Sequence, residues 1–310
     1  MKKIVRYLKT HIKEDFHPLV YSYSAVFLVI SFYINYSLDF EDKYIDAHMY
    51  SSIRMFYYFV LFSVAYYGVA VPMLFITGNR DVLKKRAFWI KSLVFMAMLG
   101  INSGFPYHNL ILSHYESREL RYFFSKIATN SFPYIPGLII LFIIKRIYDR
   151  NNKGLYGLRF REFNARPYFL LLAIVTPLVI IASFNGEFQS AYPRFKPYRM
   201  SEDFMLSKPA MIGMFETVYG FNFVFVELFF RGALVIGMTK VLGRQAVLPM
   251  ASAYAFLHFG KPMPEAISSI FGGYILGVIS LNTQNILGGC IIHIGIAYLM
   301  EIAAYMQYYF

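Results

Sequence analysis

Apolar and polar positions along this 310-residue chain fall into long blocks rather than a strict alternation. Mostly apolar windows occupy residues 19–38, 55–77, 87–104, 131–148, 168–184, 209–240 and 245–260. A helix rising 1.5 Å per residue needs about 17 to 25 such residues to cross about 30 Å of hydrocarbon, and most of these windows have that length. The last window, 266–307, is too long for one helix, and Asn282, Thr283, Gln284 and Asn285 split it into spans near 266–281 and 286–305. Windows such as Tyr168 to Phe184 are apolar on every face, which argues against the alternating strands of a membrane barrel. The pattern therefore predicts an all-α, polytopic integral membrane protein with about eight transmembrane helices, bending near Gly220 within the 209–240 window.

Ahead of the first window, Ile4, Val5, Leu8 and Ile12 recur at helical spacing among Lys2, Lys3, Arg6, Lys9 and Lys13. Residues 1–18 thus read either as an amphipathic helix on the membrane surface or as a solvated basic tail. No small-residue cleavage site follows the first apolar run, so that span is expected to be retained. Residues 19–208 form the amino-terminal set of membrane helices, and 209–310 form a carboxy-terminal core. No fixed-period repeat or low-complexity tract interrupts them.

Composition sharpens the membrane assignment. Hydrophobic residues make up 57% and charged residues 15%, against about 25% charged in soluble domains. The net charge of +12 comes from basic clusters that flank apolar windows, so it speaks for membrane lipid as the partner and against nucleic acid. The run Lys84, Lys85, Arg86 is a topology anchor that can also meet acidic headgroups. Alternate connections hold eighteen Lys and Arg on one side and ten on the other. The positive-inside bias then places the amino terminus in the cytoplasm, with the cell membrane as the expected location. A single cysteine, Cys290, excludes an intramolecular disulfide.

Three polar islands break the carboxy-terminal windows. Phe223 to Gly232 reads F-V-F-V-E-L-F-F-R-G, so Glu227 and Arg231 lie four apart in an apolar stretch, where an α-helix would put them on one face as a pair. Ionisable groups within a membrane are expensive and point to function, although a packing ion pair explains this segment equally well. His258 follows Tyr254 by four residues, and His293 lies inside the final span with Glu301 eight residues later. Glu301 then stands about 80° around the helix from His293, able to orient the site or to sit at the membrane edge. A carboxylate with an imidazole can activate water, and a second imidazole can stabilise an oxyanion. The same groups can hold a divalent metal such as zinc that generates hydroxide. Spacing leaves both routes open.

The order E-x-x-x-R-G, aromatic-x-x-x-His, Gly-rich span and final His over 210–305 resembles the CPBP family, also called Abi, which includes the CAAX prenyl endopeptidases. The resemblance implies an intramembrane endopeptidase acting on membrane-associated proteins or peptides, with Glu227, Arg231, His258 and His293 as its catalytic set and Glu227, His258 and His293 as candidate metal ligands. In the family's first motif two glutamates precede the arginine, and Val226 stands where the first, water-activating one belongs. Ala297 stands where the third motif carries a polar residue. These two departures frame the alternative, a catalytically inactive relative that acts as a membrane binding or scaffold protein. Gly272, Gly273 and Gly277 match the small-residue span between the histidines. A shared site further predicts that 245–260 is short, tilted or re-entrant. Glu216, eleven residues before Glu227, is about 16 Å from it on a straight helix and could replace the missing acid only if the chain breaks near Gly220.

Overall fold

A computed structural model describes residues 2–105, 112–132, 134–151, 154–161, 163–201 and 204–309. Among them, eight helical stretches are long and apolar enough to cross a membrane. The protein is an all-α integral membrane protein, and its surface accords with that: on the helix Arg166–Ser183, Phe169, Leu170, Ile174, Leu178 and Ile181 are all exposed. Apolar side chains on this scale are solvated by lipid.

The chain divides into two compact units. The first combines Met1–Phe105, Ile139–Phe163 and Leu228–Leu287. It opens with helices α1 (Lys2–Asp15), α2 (Pro18–Leu38), α3 (Ile53–Ile76) and α4 (Arg86–Gly104). The second combines Pro106–Leu138, Asn164–Glu227 and Gly288–Phe310. It carries α5 (Arg118–Ser131), the start of α6 (Tyr134–Tyr148), α7 (Arg166–Ser183), the short α8 (Gly186–Ala191) and α9 (Lys208–Glu227). The chain then returns to the first unit as a π-helical segment, Leu228–Gly237, followed by α10 (Thr239–Leu242), α11 (Val247–Phe256) and α12 (Met263–Thr283). A final helix, α13 (Leu287–Tyr309), belongs almost wholly to the second unit.

Helix boundaries follow local chemistry. Pro18 starts α2, where its missing N–H costs nothing. The polar run 282–285 ends α12 with Gln284 in the left-handed conformation at φ 51°. Three expectations change or sharpen. Residues 118–131, read as part of a connection, form α5; its polar residues lie among Phe123 and its apolar neighbours at helical spacing, and Ser117 caps it by accepting from the Leu120 N–H at 3.3 Å. No bend occurs at Gly220, because α9 runs unbroken to Glu227 and the glycine instead admits the Tyr298 hydroxyl of α13. The ten residues of α11 rise about 15 Å, so this element is short as anticipated.

At the amino terminus, α1 buries Ile4 and His11 while Val5 and Ile12 stay exposed, as does Phe16 just past its end. The His11 ring stands edge-on to Tyr274 of α12 at 5.7 Å, and Glu14 pairs with Arg244 at 2.6 Å. The segment is a docked helix rather than a loose tail.

Two polar clusters, the first of them buried, fix the first unit. Lys91 of α4 meets Asp149 at 2.6 Å with both side chains 1% exposed. Tyr156 donates to the same carboxylate at 3.0 Å, and the Lys91 ammonium also donates to the Gly237 carbonyl at the end of the π-helical segment. In the α2–α3 connection, Tyr58 hydrogen-bonds Glu41 and Asp46, each at 2.7 Å, and Arg54 pairs with Asp46 at 2.8 Å. Burial lifts the Glu41 carboxyl to about 7; Asp46 and Asp42 add to the rise, while the Tyr58 hydrogen bond and Arg54 oppose it. A folded value above the ordinary 4.5 means that the folded protein keeps a proton the unfolded chain releases. Stability should therefore fall as pH climbs from about 4.5 to 7 and level off above that. Glu41→Gln is expected to flatten this slope in thermal unfolding of the detergent-solubilised protein; a variant with the wild-type slope would refute the assignment.

Candidate active site

In the second unit, the last residue of α9 carries the acid. Glu227 is fully buried, and its Oε1 lies 3.0 Å from Nδ1 of His293 on α13. A carboxylate in an apolar helix is stabilised by such a charge-assisted bond, and the bond in turn holds the imidazole orientation. The Phe223 ring, four residues before Glu227, packs on the imidazole with centroids 4.4 Å apart. Together they leave the His293 side chain 15% exposed.

Gly289 makes the approach possible. It lies one turn before His293 on the same face of α13, and a side-chain carbon there would run into the Glu227 carboxylate. Gly289→Ala is therefore expected to displace the acid and to lower any hydrolytic rate about 100-fold while the helix persists. Peptide turnover alongside circular dichroism of the variant checks this; an unchanged rate would remove Glu227 from the chemistry.

In the first unit, Arg231 lies on the π-helical segment, so the α-helical count of 100° per residue does not carry from Glu227 to it. Its guanidinium is 1% exposed and sits 4.2 Å from the Tyr254 ring centroid, a desolvated cation–π contact. The tyrosine at the aromatic motif position thus faces the motif arginine. Phe230 braces the ring edge-on at 5.0 Å, and Gly273 of α12 lets it lie against that helix. Gly277 similarly accommodates Met250, whereas Gly272 faces open space.

His258 sits in the turn after α11, its ring 4.6 Å from that of Tyr254. Its Nδ1 is 2.9 Å from the Tyr254 carbonyl. Since a carbonyl only accepts, this bond puts the proton of a neutral ring on Nδ1 and the lone pair on Nε2. The turn is fastened to α2: Tyr36 donates to the Lys261 carbonyl at 2.7 Å, and Asn35 donates to that of Phe259 at 3.3 Å.

The structure thus brings Glu227 to His293, and Arg231 and His258 each to Tyr254. Val226 is half-buried beside the acid in sequence, and Ala297 is packed with Phe215 and Tyr219 in an aromatic cluster. Glu301 is a buried acceptor that takes the Arg194 backbone N–H at 2.9 and 3.0 Å. Glu216 stays about 16 Å along an unbroken α9 from Glu227 and is no substitute for the missing acid. Sequence reasoning overlooked Gly289, whose signal was its place one turn before a motif histidine, and the packing role of Phe223, which an apolar helix conceals.

A catalytic zinc takes three protein ligands. Among the described residues, no group of three or more His, Cys, Asp or Glu is gathered closely enough to hold a metal ion. Glu227 and His293 offer two donors, one fewer than such a set needs.

Residues 208–299 match the family described as Rce1-like, type II CAAX prenyl endopeptidase. No curated protein and no solved structure gives a match to the chain.

Proposed function

We propose, from the match of residues 208–299 to the Rce1-like family of type II CAAX prenyl endopeptidases, that this membrane protein is an intramembrane endopeptidase that cuts membrane-associated proteins or peptides. The observation that carries the proposal is the buried Glu227–His293 pair at 3.0 Å inside the matched segment.

In the proposed reaction, Glu227 takes a proton from water through its second carboxylate oxygen while Oε1 remains bonded to His293. The water oxygen attacks the scissile carbonyl carbon, and the carbonyl electron pair moves onto its oxygen. His293, as an imidazolium, donates Nδ1–H to Glu227 and Nε2–H to that oxyanion. Glu227 then returns the proton to the leaving amine as the carbon–nitrogen bond breaks. The family motif adds Arg231 and His258, the latter a second imidazole with its lone pair on Nε2. The charge asymmetry of the connections supports an amino terminus in the cytoplasm and residence in the cell membrane.

Wild type and His258→Ala, each in lipid discs, are to be compared for new peptide termini released from a membrane-protein library, with and without chelator. Cleavage by wild type alone, surviving chelator, is the expected result. Chelator sensitivity would replace direct base catalysis by a metal-bound hydroxide. No cleavage by either folded protein would favour the second reading, a catalytically inactive relative that binds or scaffolds membrane partners. The packing of Ala297 into the aromatic cluster, at a position the family gives to a polar residue, favours that reading.

A further inference from the structure

Helix α1 carries charges that neither the fold nor the proposed reaction uses. Lys2, Arg6, Lys9 and Lys13 are exposed. At 100° and 1.5 Å per residue they share an arc of about 60° and a strip about 16 Å long. Val5 and Ile12, also exposed, lie within about 60° of Lys9 on its other side, while the buried Ile4 and His11 occupy the opposite face. The outward face of α1 is therefore divided lengthwise into a cationic strip and an apolar one.

The acids of α1 are engaged elsewhere. Glu14 pairs with Arg244 at 2.6 Å, and Asp15 lies 3.4 Å from Nε2 of His11 and accepts from the Tyr21 hydroxyl at 3.1 Å. Among the described residues, none forms an ion pair with Lys2, Arg6, Lys9 or Lys13. The first turn holds Lys2 and Lys3 and no acid, so two cations stand at the positive end of the helix dipole, where an anion is favoured.

Position identifies that anion. Helix α1 ends at Asp15 and the first apolar span begins at Pro18, so Phe16 and His17 are the whole connection and α1 is confined to the bilayer surface. An apolar strip beside a cationic one suits the boundary between acyl chains and phosphates better than it suits an acidic protein in solution.

The inward face grips two elements of the first unit. The Tyr21 hydroxyl meets that of Tyr274 on α12 at 2.8 Å, and the His11 ring stands edge-on to the same tyrosine. Tyr274 follows Gly273, the residue that lets Tyr254 lie against α12. Arg244, the partner of Glu14, stands three residues before α11, which carries Tyr254.

We infer that the outward face of α1 binds the headgroups of anionic phospholipids, and that this binding holds α1 on α12 and on the segment before α11, the elements that place Tyr254 beside Arg231. The inference concerns how the first unit is held and does not depend on the endopeptidase reading.

The test follows backbone amide exchange over α1 in the full chain, in discs of phosphatidylcholine and in discs where phosphatidylglycerol replaces part of it. Exchange is expected to slow at least about tenfold in the anionic discs, since each basic side chain near a charged surface contributes about fivefold. Lys2→Gln, Arg6→Gln, Lys9→Gln and Lys13→Gln together should remove the slowing and leave exchange in phosphatidylcholine as in wild type. Lys84→Gln with Lys85→Gln, which neutralises a basic cluster elsewhere, should keep it. No lipid dependence in wild type, slowing that survives the combined α1 substitutions, or slowing lost equally in the Lys84, Lys85 variant would each overturn the inference. Faster exchange of the α1 variant already in phosphatidylcholine would also overturn it, because the cations would then serve the docking of α1 itself.

Discussion

Replacing Glu227 by Gln is expected to lower peptide hydrolysis by about 100- to 10,000-fold, the range that a general base contributes, while the protein still folds. Glutamine keeps the carbonyl oxygen that can accept from Nδ1 of His293, so the 3.0 Å contact and the packing of Phe223 on the imidazole can persist. What disappears is the basic oxygen that removes a proton from water. Glu227→Asp should be the more informative partner, because it keeps the charge and withdraws it from His293 by one methylene; partial activity would mark a base whose reach matters. Rates are to be measured on protein in lipid discs, with thermal unfolding run in parallel. A Gln variant as active as wild type would mean that the base lies elsewhere or that the pair serves packing alone.

A second large effect is expected away from the chemistry. Lys91→Met should destabilise the protein by about 3–5 kcal/mol, the range seen when one partner of a buried ion pair is removed. The variant leaves the Asp149 carboxylate at 1% exposure with the Tyr156 hydroxyl still donating to it and strips the Gly237 carbonyl of the ammonium. The double variant Lys91→Met, Asp149→Leu should recover most of that loss, because no charge is then stranded. Denaturant titration of the two proteins in detergent decides the matter. A single variant no less stable than the double would show that the pair is not a structural tie. Gly237 ends the π-helical segment that carries Arg231, so this tie bears on the arginine without touching it.

Membrane helices were legible wherever hydrophobicity alone dictated them. The windows 19–38, 87–104 and 168–184 became Pro18–Leu38, Arg86–Gly104 and Arg166–Ser183, because a backbone in lipid must satisfy its own hydrogen bonds and a long apolar run has no other way to do so. Elements set by tertiary packing were not legible. Arg118–Ser131 spreads Arg118, Glu119, Arg121 and Lys126 among its apolar residues, so its average polarity hid an amphipathic helix. At Gly220 the glycine marked a neighbour's approach rather than a break, and only the position of Tyr298 distinguishes the two. No short-range signal announced the π-helical stretch after Glu227.

Among the site residues, Glu227 and His293 stood out because a charge and an imidazole are costly in apolar helices. Their partnership spans 66 residues of sequence, and only the order of the motifs hinted at it. Lys91 and Asp149 are similarly remote from each other, with one inside an apolar window and the other just past the end of one, so neither pattern nor motif singled them out.

The stretch from Arg244, tied to Glu14, to Phe259, held by Asn35, has one further consequence. At 1.5 Å per residue its fifteen steps cover about 22 Å, well short of the about 30 Å of an ordinary acyl-chain layer. Neighbouring helices rather than acyl chains meet this short element, because Val247 and Pro249 to Phe256 are all buried. The turn that carries His258 is thereby sheltered from bilayer thickness, which acts on the lipid-facing helices instead.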